Sequence, residues 1–483
     1  MKRMEADVIV VAAGPAGLAA SISAAEAGKN VLTFEKANTT GGAGNMGMGP
    51  FAVETRLQRD SFIEISKEEA FDMHMKYTHY RVDADLVQAY FGKSADTISW
   101  LQEMGVEFVG AFKYFSSSEA TWHIVKPENG VVGPRAASAM YKIMTQHAKE
   151  VGVDIKLETP VKKLIVENGK VAGVIAAEKG GEEIDARAKA VIIATGGFGD
   201  NVEMIEKYLG YKCREDYFPF MIPGLKGDGL NMCWEIGAAK YGIGAEVIYQ
   251  LPDNLSWFCL DGVLRQPNLL INQRGDRFMN EEQLENTTFA GNAIALQPGR
   301  YAYCIMDEGI KKHYLRNGLD QVDMVHPSSI IYGFEEEAAR AEQTGYEGYF
   351  EVDTIEELAG KLGIDADKLQ DTIDEYNDMC DQNMDTKFGK NPKYLHAIGK
   401  GKLYVGKFFL GAYGSIGGLK INSKCQVFNE KDEVIPGLYA AGQDANTIYG
   451  DSYNFYMPGN SMGFAINTGR MAGEAASDYA DEL

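Results

Sequence analysis

The chain has 483 residues, 45% hydrophobic and 24% charged, which is the composition of an ordinary globular protein too long for one core. Its net charge of −22 argues against nucleic acid or an anionic membrane surface as partner. The six cysteines and seven histidines are scattered without a CxxC pair, so no iron–sulfur cluster, structural zinc or other metal site is expected. No apolar run reaches 18 residues and nothing at the start reads as a signal peptide, so the default location is the cytoplasm.

Residues 7–11 (DVIVV) form a short apolar, β-branched run that predicts a buried strand. The turn AAGPAG, a helix of small residues to about Ala27 and a second strand over 31–34 complete a βαβ unit that ends in Glu35. Glycines at the strand-to-helix turn and an acid 21 residues after Gly14 fit a dinucleotide cradle. Backbone N–H groups around Gly14, Ala16 and Gly17 would hold a pyrophosphate, and Glu35, followed by Lys36, would accept from a ribose hydroxyl. One departure is Ala12, where the first glycine of such a turn usually stands. The run TTGGAGNMGMGP then offers bare amides for a second cradle, at Gly42, Ala43, Met48 and Gly49.

These motifs, with several quoted below, resemble the flavoprotein family of fumarate reductase and succinate dehydrogenase. Its soluble relatives include flavocytochrome-type fumarate reductases, urocanate reductase and 3-ketosteroid dehydrogenases. The resemblance runs nearly end to end. It implies an α/β fold, with a discontinuous Rossmann-like FAD-binding domain over 1–245 and 411–483 and an inserted α+β capping domain over 246–410. Membrane members tether FAD through a histidine in the glycine-rich loop; none lies between 37 and 73 here, so non-covalent FAD is expected.

Further along, residues 55–110 read as helical, with a long amphipathic stretch over 84–104. Residues 112–135 are irregular and aromatic; Trp122, His123 and Arg135 there could face a substrate or simply pack. A helix over 136–151, a strand over 154–157 and a hairpin turning at Asn168-Gly169 follow. By resemblance, the backbone of Val161 meets the adenine, and AVIIATGGFG brings Ala194, Thr195 and Gly196 to the dinucleotide. The resemblance likewise assigns Asp228 to the ribityl or ring region and Gln443, Ser461 and Met462 to the flavin. NQRGDRFMNE (272–281) and an acidic helix pair over 354–377 match the family's cap.

The groups with which the family binds a dicarboxylate are replaced. Its substrate-binding histidines fall on Gly414 (after Tyr413) and Leu251, its carboxylate-binding arginine on Tyr456, and its proton-delivering arginine on Glu285 or Asn286. Cationic clamps cannot become Tyr, Gly and Leu and still hold a small dianion. Trp257, Phe258, Tyr413, Tyr449, Tyr453, Phe455 and Tyr456 instead favour a flat apolar or aromatic substrate. The expected reaction is the reduction or formation of a C=C bond conjugated to a carbonyl, in an enone, steroid-like molecule or aryl acrylate. Glu285, Tyr413, Tyr453, Tyr456 and Arg265 are the candidate catalytic residues. A 3-ketosteroid-type dehydrogenase and an electron-transfer subunit of a larger reductase remain alternatives. No second nucleotide fingerprint is found, so a separate electron donor is expected: a protein, reduced flavin or an NAD(P)H-linked reductase.

Overall fold

The computed structural model describes residues 2–483. Its centre is a six-stranded sheet in the order Gln426–Phe428, Val434–Ala440, Ala190–Ile193, Val8–Val11, Val31–Phe34, Asp154–Lys156. All neighbours are parallel except the antiparallel edge strand Gln426–Phe428. Strands covered on both faces must be apolar throughout, and Val8–Val11, Val31–Phe34 and Ala190–Ile193 are fully buried. The expected βαβ unit is present, with helix Pro15–Glu26 as its crossover. The C-terminal helix Asn460–Asp481 packs on that crossover through small residues: a Cβ on Gly469 would stand 2.3 Å from the Ala16 carbonyl oxygen.

A four-stranded sheet, Lys2–Glu5, Glu183–Arg187, Lys170–Ala177, Val161–Glu167, lies beside this core. Its hairpin turns at Asn168 and Gly169, both at positive φ (51° and 76°), as a two-residue turn between twisted strands requires. The irregular stretch 112–135 contains more order than its composition suggests: Trp122–Val125 pairs with Phe108–Phe112. The segment 272–281 is a turn closed by Asn272, with an isolated bridge between Ile271 and Arg277 and no continuous strand.

The third sheet is antiparallel. Lys240–Gln250 pairs with the long strand Leu403–Leu419, which also carries Tyr301–Asp307 and Tyr349–Val352. The domain boundaries expected at 245/246 and 410/411 fall inside these two strands, which run on through both parts of the chain. Within the expected cap, Arg277 holds the segments together. It donates to Glu281 at 2.6 Å and to Asp385 at 2.8 Å, and all three side chains are at most 1% exposed. Arg277→Met leaves Asp385 buried without its cation and Glu281 with only Lys390, 3.5 Å away, so it is expected to cost about 3–5 kcal/mol, read by urea unfolding.

Candidate active site

The turn after Val8–Val11 is built tightly. Ala12 takes φ 86°, the left-handed conformation that the usual glycine would adopt without strain. Gly17 lies in the first turn of the following helix, and a Cβ there would meet the Ala12 carbonyl oxygen at 1.9 Å. Glu35 pins the turn from the next strand by accepting from the Ala13 N–H at 2.7 Å.

Three helices begin here behind glycine N-caps (Gly14, Gly227 and Gly459) that have no side chain to cap them: Pro15–Glu26, Asp228–Glu235 and Asn460–Asp481. Residues of each first turn line one cavity of about 730 Å3. Free helix N-termini are anion-binding positions. Gly459, N-cap of the last helix, has φ 84°, and a Cβ on it would press on the Phe51 amide and Trp122 at 2.7 Å. That helix can therefore start against the cavity only with glycine.

Around the cavity the structure brings together Gly14, Ala16, Glu35, Lys36, Gly42, Ala43, Met48, Gly49, Val161, Ala194, Thr195, Gly196, Asp228, Gln443, Ser461 and Met462. Of the nucleotide residues expected from sequence, Gly17 alone is not on its wall, because its place is taken up by packing against Ala12. Lys36 and Asp228 form an ion pair on the wall. The donor set suits FAD: uncapped amides for a pyrophosphate, a carboxylate for a ribose, and a volume within the roughly 300–1,000 Å3 of large-ligand sites.

The other end of the cavity is aromatic. Tyr413, Phe258, Tyr453 and Phe455 of the expected cluster line it, joined by Tyr114, Trp122 and Phe220, which the sequence did not single out for this role, apart from Trp122. Phe220 stacks on Tyr413 at 5.0 Å. The exposed surface of Tyr413 (38%) faces the cavity. Burial pushes its phenol up to about 12, tempered first by Arg265. Tyr453 is buried, and its hydroxyl accepts from the Ser461 N–H at 2.9 Å, holding the start of the last helix. Trp257 is turned away, stacked on Tyr346, and Tyr449 lies behind Tyr453.

Arg265 lines both this cavity and a small recess beside it. One guanidinium nitrogen donates to the Tyr249 carbonyl at 3.1 Å, and the other approaches the His326 ring at 3.4 Å. His326 Nδ1 sits 2.9 Å from Asp323. Burial alone would raise the Asp323 carboxyl, but His326 and then Arg265 lower it below its ordinary value. Glu285 lines the recess and not the main cavity, with its carboxylate accepting from the hydroxyls of Ser116 and Ser117. Tyr456 also stands off the cavity wall, packed edge-on against Phe115, Phe289 and Tyr77. His123 is fully buried on Thr55, and Arg135 is exposed off the wall.

Two carboxyl groups escaped the sequence reading. Asp444, wholly buried, takes the N–H groups of Gly196 (3.2 Å) and Gly197 (2.9 Å) and that of Thr195. Glu246, 3% exposed, lines the cavity and accepts from Gln443 Nε2 at 2.9 Å. Burial pushes it up to about 7, against the lowering pull of Ser461 and Gln443. Both Glu246 and Tyr413 sit in a β-bulge: Ala245 pairs with Ser415 and Val247 with Ala412, so Glu246 opposes two residues, Tyr413 and Gly414. Bulges re-aim side chains, and this one serves the cavity from both strands.

Comparison with known proteins agrees with this geometry. A family model described as an FAD binding domain matches residues 7–462. The vinyl phenol reductase of Lactiplantibacillus plantarum is 32% identical, over 99% of this chain and 97% of that protein. The open conformation of a flavocytochrome c3 fumarate reductase superposes with a TM-score of 0.70 at 26% identity, over 99% of this chain and 79% of that one. The 3-ketosteroid-Δ4-(5α)-dehydrogenase of Rhodococcus jostii RHA1 shares the fold, with a TM-score of 0.76 at 23% identity over 98% and 97% of the two chains. Among the described residues no helix is long and apolar enough to cross a membrane. The chain belongs to this FAD binding domain family and is an FAD-dependent oxidoreductase.

Proposed function

We propose that the protein reduces a C=C bond conjugated to a carbonyl or an aromatic ring in a flat, largely apolar substrate, and does not act on fumarate. One observation carries this reading. The catalytic end is walled by aromatic rings and has a single guanidinium, Arg265, already engaged by Tyr249 and His326. A small dicarboxylate needs two cationic clamps, whereas an aryl ring with one polar handle needs a flat apolar slot. Similarity to a vinyl phenol reductase, an enzyme whose named substrate joins an aromatic ring to a C=C bond, supports the same class.

When bound, reduced FAD supplies the hydride for one carbon of the double bond. The chain's own residues supply the rest. The aromatic wall orients the substrate and excludes water, helped by the segment 246–410 acting as a cap. Tyr413 faces the substrate space and hands a proton to the other carbon, its O–H bond breaking as the C–H bond forms. Arg265 and Glu285, which share the recess, return a proton from the solvent side. Tyr453 and Tyr456 then serve as supports, the first under the last helix and the second in the aromatic packing beside Phe115. FAD is held without a covalent bond: of the histidines in the described chain, only His326 lines the cavity, at the substrate end. Among the described residues there is one dinucleotide-type βαβ unit, which supports a separate electron donor.

Three outcomes test this. In anaerobic cuvettes, reduced enzyme is expected to be reoxidised rapidly by an aryl alkene, aryl acrylate or enone and not by fumarate; rapid reoxidation by fumarate would overturn the substrate reading. Tyr413→Phe is expected to lower kcat by about 10²–10⁴-fold with FAD content, read from visible absorbance, unchanged. Glu246 is protonated below about pH 7 and charged above it, where its charge raises the nearby Tyr413 phenol. Activity should thus fall as pH rises through about 7 in the native enzyme, and Glu246→Gln should flatten that limb of the kcat/KM profile.

A further inference from the structure

Off the cavity wall, three segments of the chain converge on one carboxylate. His313 lies on helix Glu308–Asn317, Asp320 in the turn after it, and His396 just beyond the short helix Pro392–Tyr394. His396 Nε2 is 2.7 Å from Asp320 Oδ2, and His313 Nε2 is 3.8 Å from Asp320 Oδ1. We propose that His313, Asp320 and His396 bind one divalent transition-metal ion of the zinc class, which ties down the segment bearing Asp323 and His326.

The donor chemistry selects the ion. Two imidazoles and one carboxylate suit zinc, cobalt or nickel, and leave a coordination position for water. One potential ligand atom from each residue lies within 4.8 Å of the others. Ligands on a tetrahedral zinc stand roughly 3.3 Å apart for bonds near 2.0–2.1 Å, so small side-chain rotations close the set. The side chains of His313, His396 and Asp320 are 38%, 17% and 12% exposed, which leaves room for a bound water and a path for the ion.

A supporting layer is already in place. Asn317 Nδ2 lies 3.0 Å from His313 Nδ1 and holds the ring with Nε2 toward the carboxylate; metal binding through Nε2 requires the Asn317 amide to turn its oxygen to Nδ1–H. The buried Tyr314 hydroxyl stands 3.2 Å from Asp320 and 2.9 Å from Asn268. Such outer partners fix ring orientation and tune affinity. Sequence gave no sign of the cluster, because the three residues are separated by 6 and 75 positions of unrelated structure.

The position matters for the site described above. The next residue after Asp320, Gln321, donates its N–H to the Gln266 side-chain oxygen at 2.8 Å, and Met324 donates to the Tyr114 carbonyl at 2.8 Å. Asp323 and His326 follow within the same segment and face Arg265. An ion on Asp320 would fix the outer end of this wall.

The test uses flavin-loaded protein stripped with a chelator and titrated with zinc chloride by calorimetry. One ion per chain is expected, with a raised Tm, and cobalt should give ligand-field absorption beyond the flavin bands. His313→Ala and His396→Ala should each weaken binding by about tenfold or more, with FAD absorbance retained. Should an alanine variant fail to fold, Asp320→Asn, which keeps the size and hydrogen-bonding shape of the side chain, provides the same comparison. No binding, or binding that these variants leave unchanged, would overturn the proposal and leave a carboxylate hydrogen-bonded between two imidazoles.

Discussion

The site depends on Asp444. Its carboxylate, without solvent contact, takes the N–H groups of three consecutive residues, Thr195, Gly196 and Gly197, and the Thr195 hydroxyl at 2.9 Å. Those amides end the strand Ala190–Ile193, which lies between Val8–Val11 from the start of the chain and Val434–Ala440 from its end. Burial raises the Asp444 carboxyl, and the Gly197 amide, the Thr195 hydroxyl and the Thr195 and Gly196 amides pull it back in part. The interaction therefore fixes the glycine turn, and with it the relation between the two separated stretches that share the cavity. Gln443, one residue earlier, points the other way and lines the wall.

The second constraint is the bulge between Lys240–Gln250 and Leu403–Leu419. A regular antiparallel pair would set Tyr413 and Glu246 by simple alternation along the strands. The extra residue breaks that alternation where the cavity passes, and both side chains reach it. Because the two strands flank the segment that carries Arg265, that segment is tied to Tyr413 through hydrogen-bonded backbone. Support and chemistry share one ladder.

What was legible in the sequence was what local pattern encodes. The strand Val8–Val11, the turn after it and Glu35 were readable because an apolar run, small residues and an acid at fixed spacing have one joint explanation. Motif resemblance likewise placed the wall residues Asp228, Gln443, Ser461 and Met462 along the chain. It could not tell orientation. Tyr456 holds an expected position in the chain yet turns into a cluster with Phe115 and Phe289, and Trp257 turns to Tyr346. Asp444 was hidden by its neighbour Gln443, since one residue of register decides which side chain meets the cavity. Glu246 was hidden because a bulge leaves no mark in composition. Tyr114 and Asp323 come from a loop and a distant segment that only the folded chain brings beside Arg265.

Losing cationic clamps changes more than the shape of the acceptable substrate. Near the aromatic end Arg265 is shared between Asp323 and the buried Asp261, whose carboxylate lies 3.6 Å from its Nε. No cation there is left over for an entering anion, and Glu246 adds a further negative charge when ionised. A dianion entering beside an ionised Glu246 would meet repulsion at close range in a medium where Coulomb interactions are strong. An uncharged aromatic alkene carries no such penalty and gains from every ring it displaces water against. Under the proposed mechanism a phenol in place of a guanidinium acid fits the same economy of charge: Tyr413 would be neutral before giving its proton, and Arg265, which lowers its phenol, would steady the phenolate. Substrate polarity and the choice of proton donor are thus one electrostatic solution, and a variant that restored an arginine at the Tyr456 position alone would add charge without restoring the chemistry.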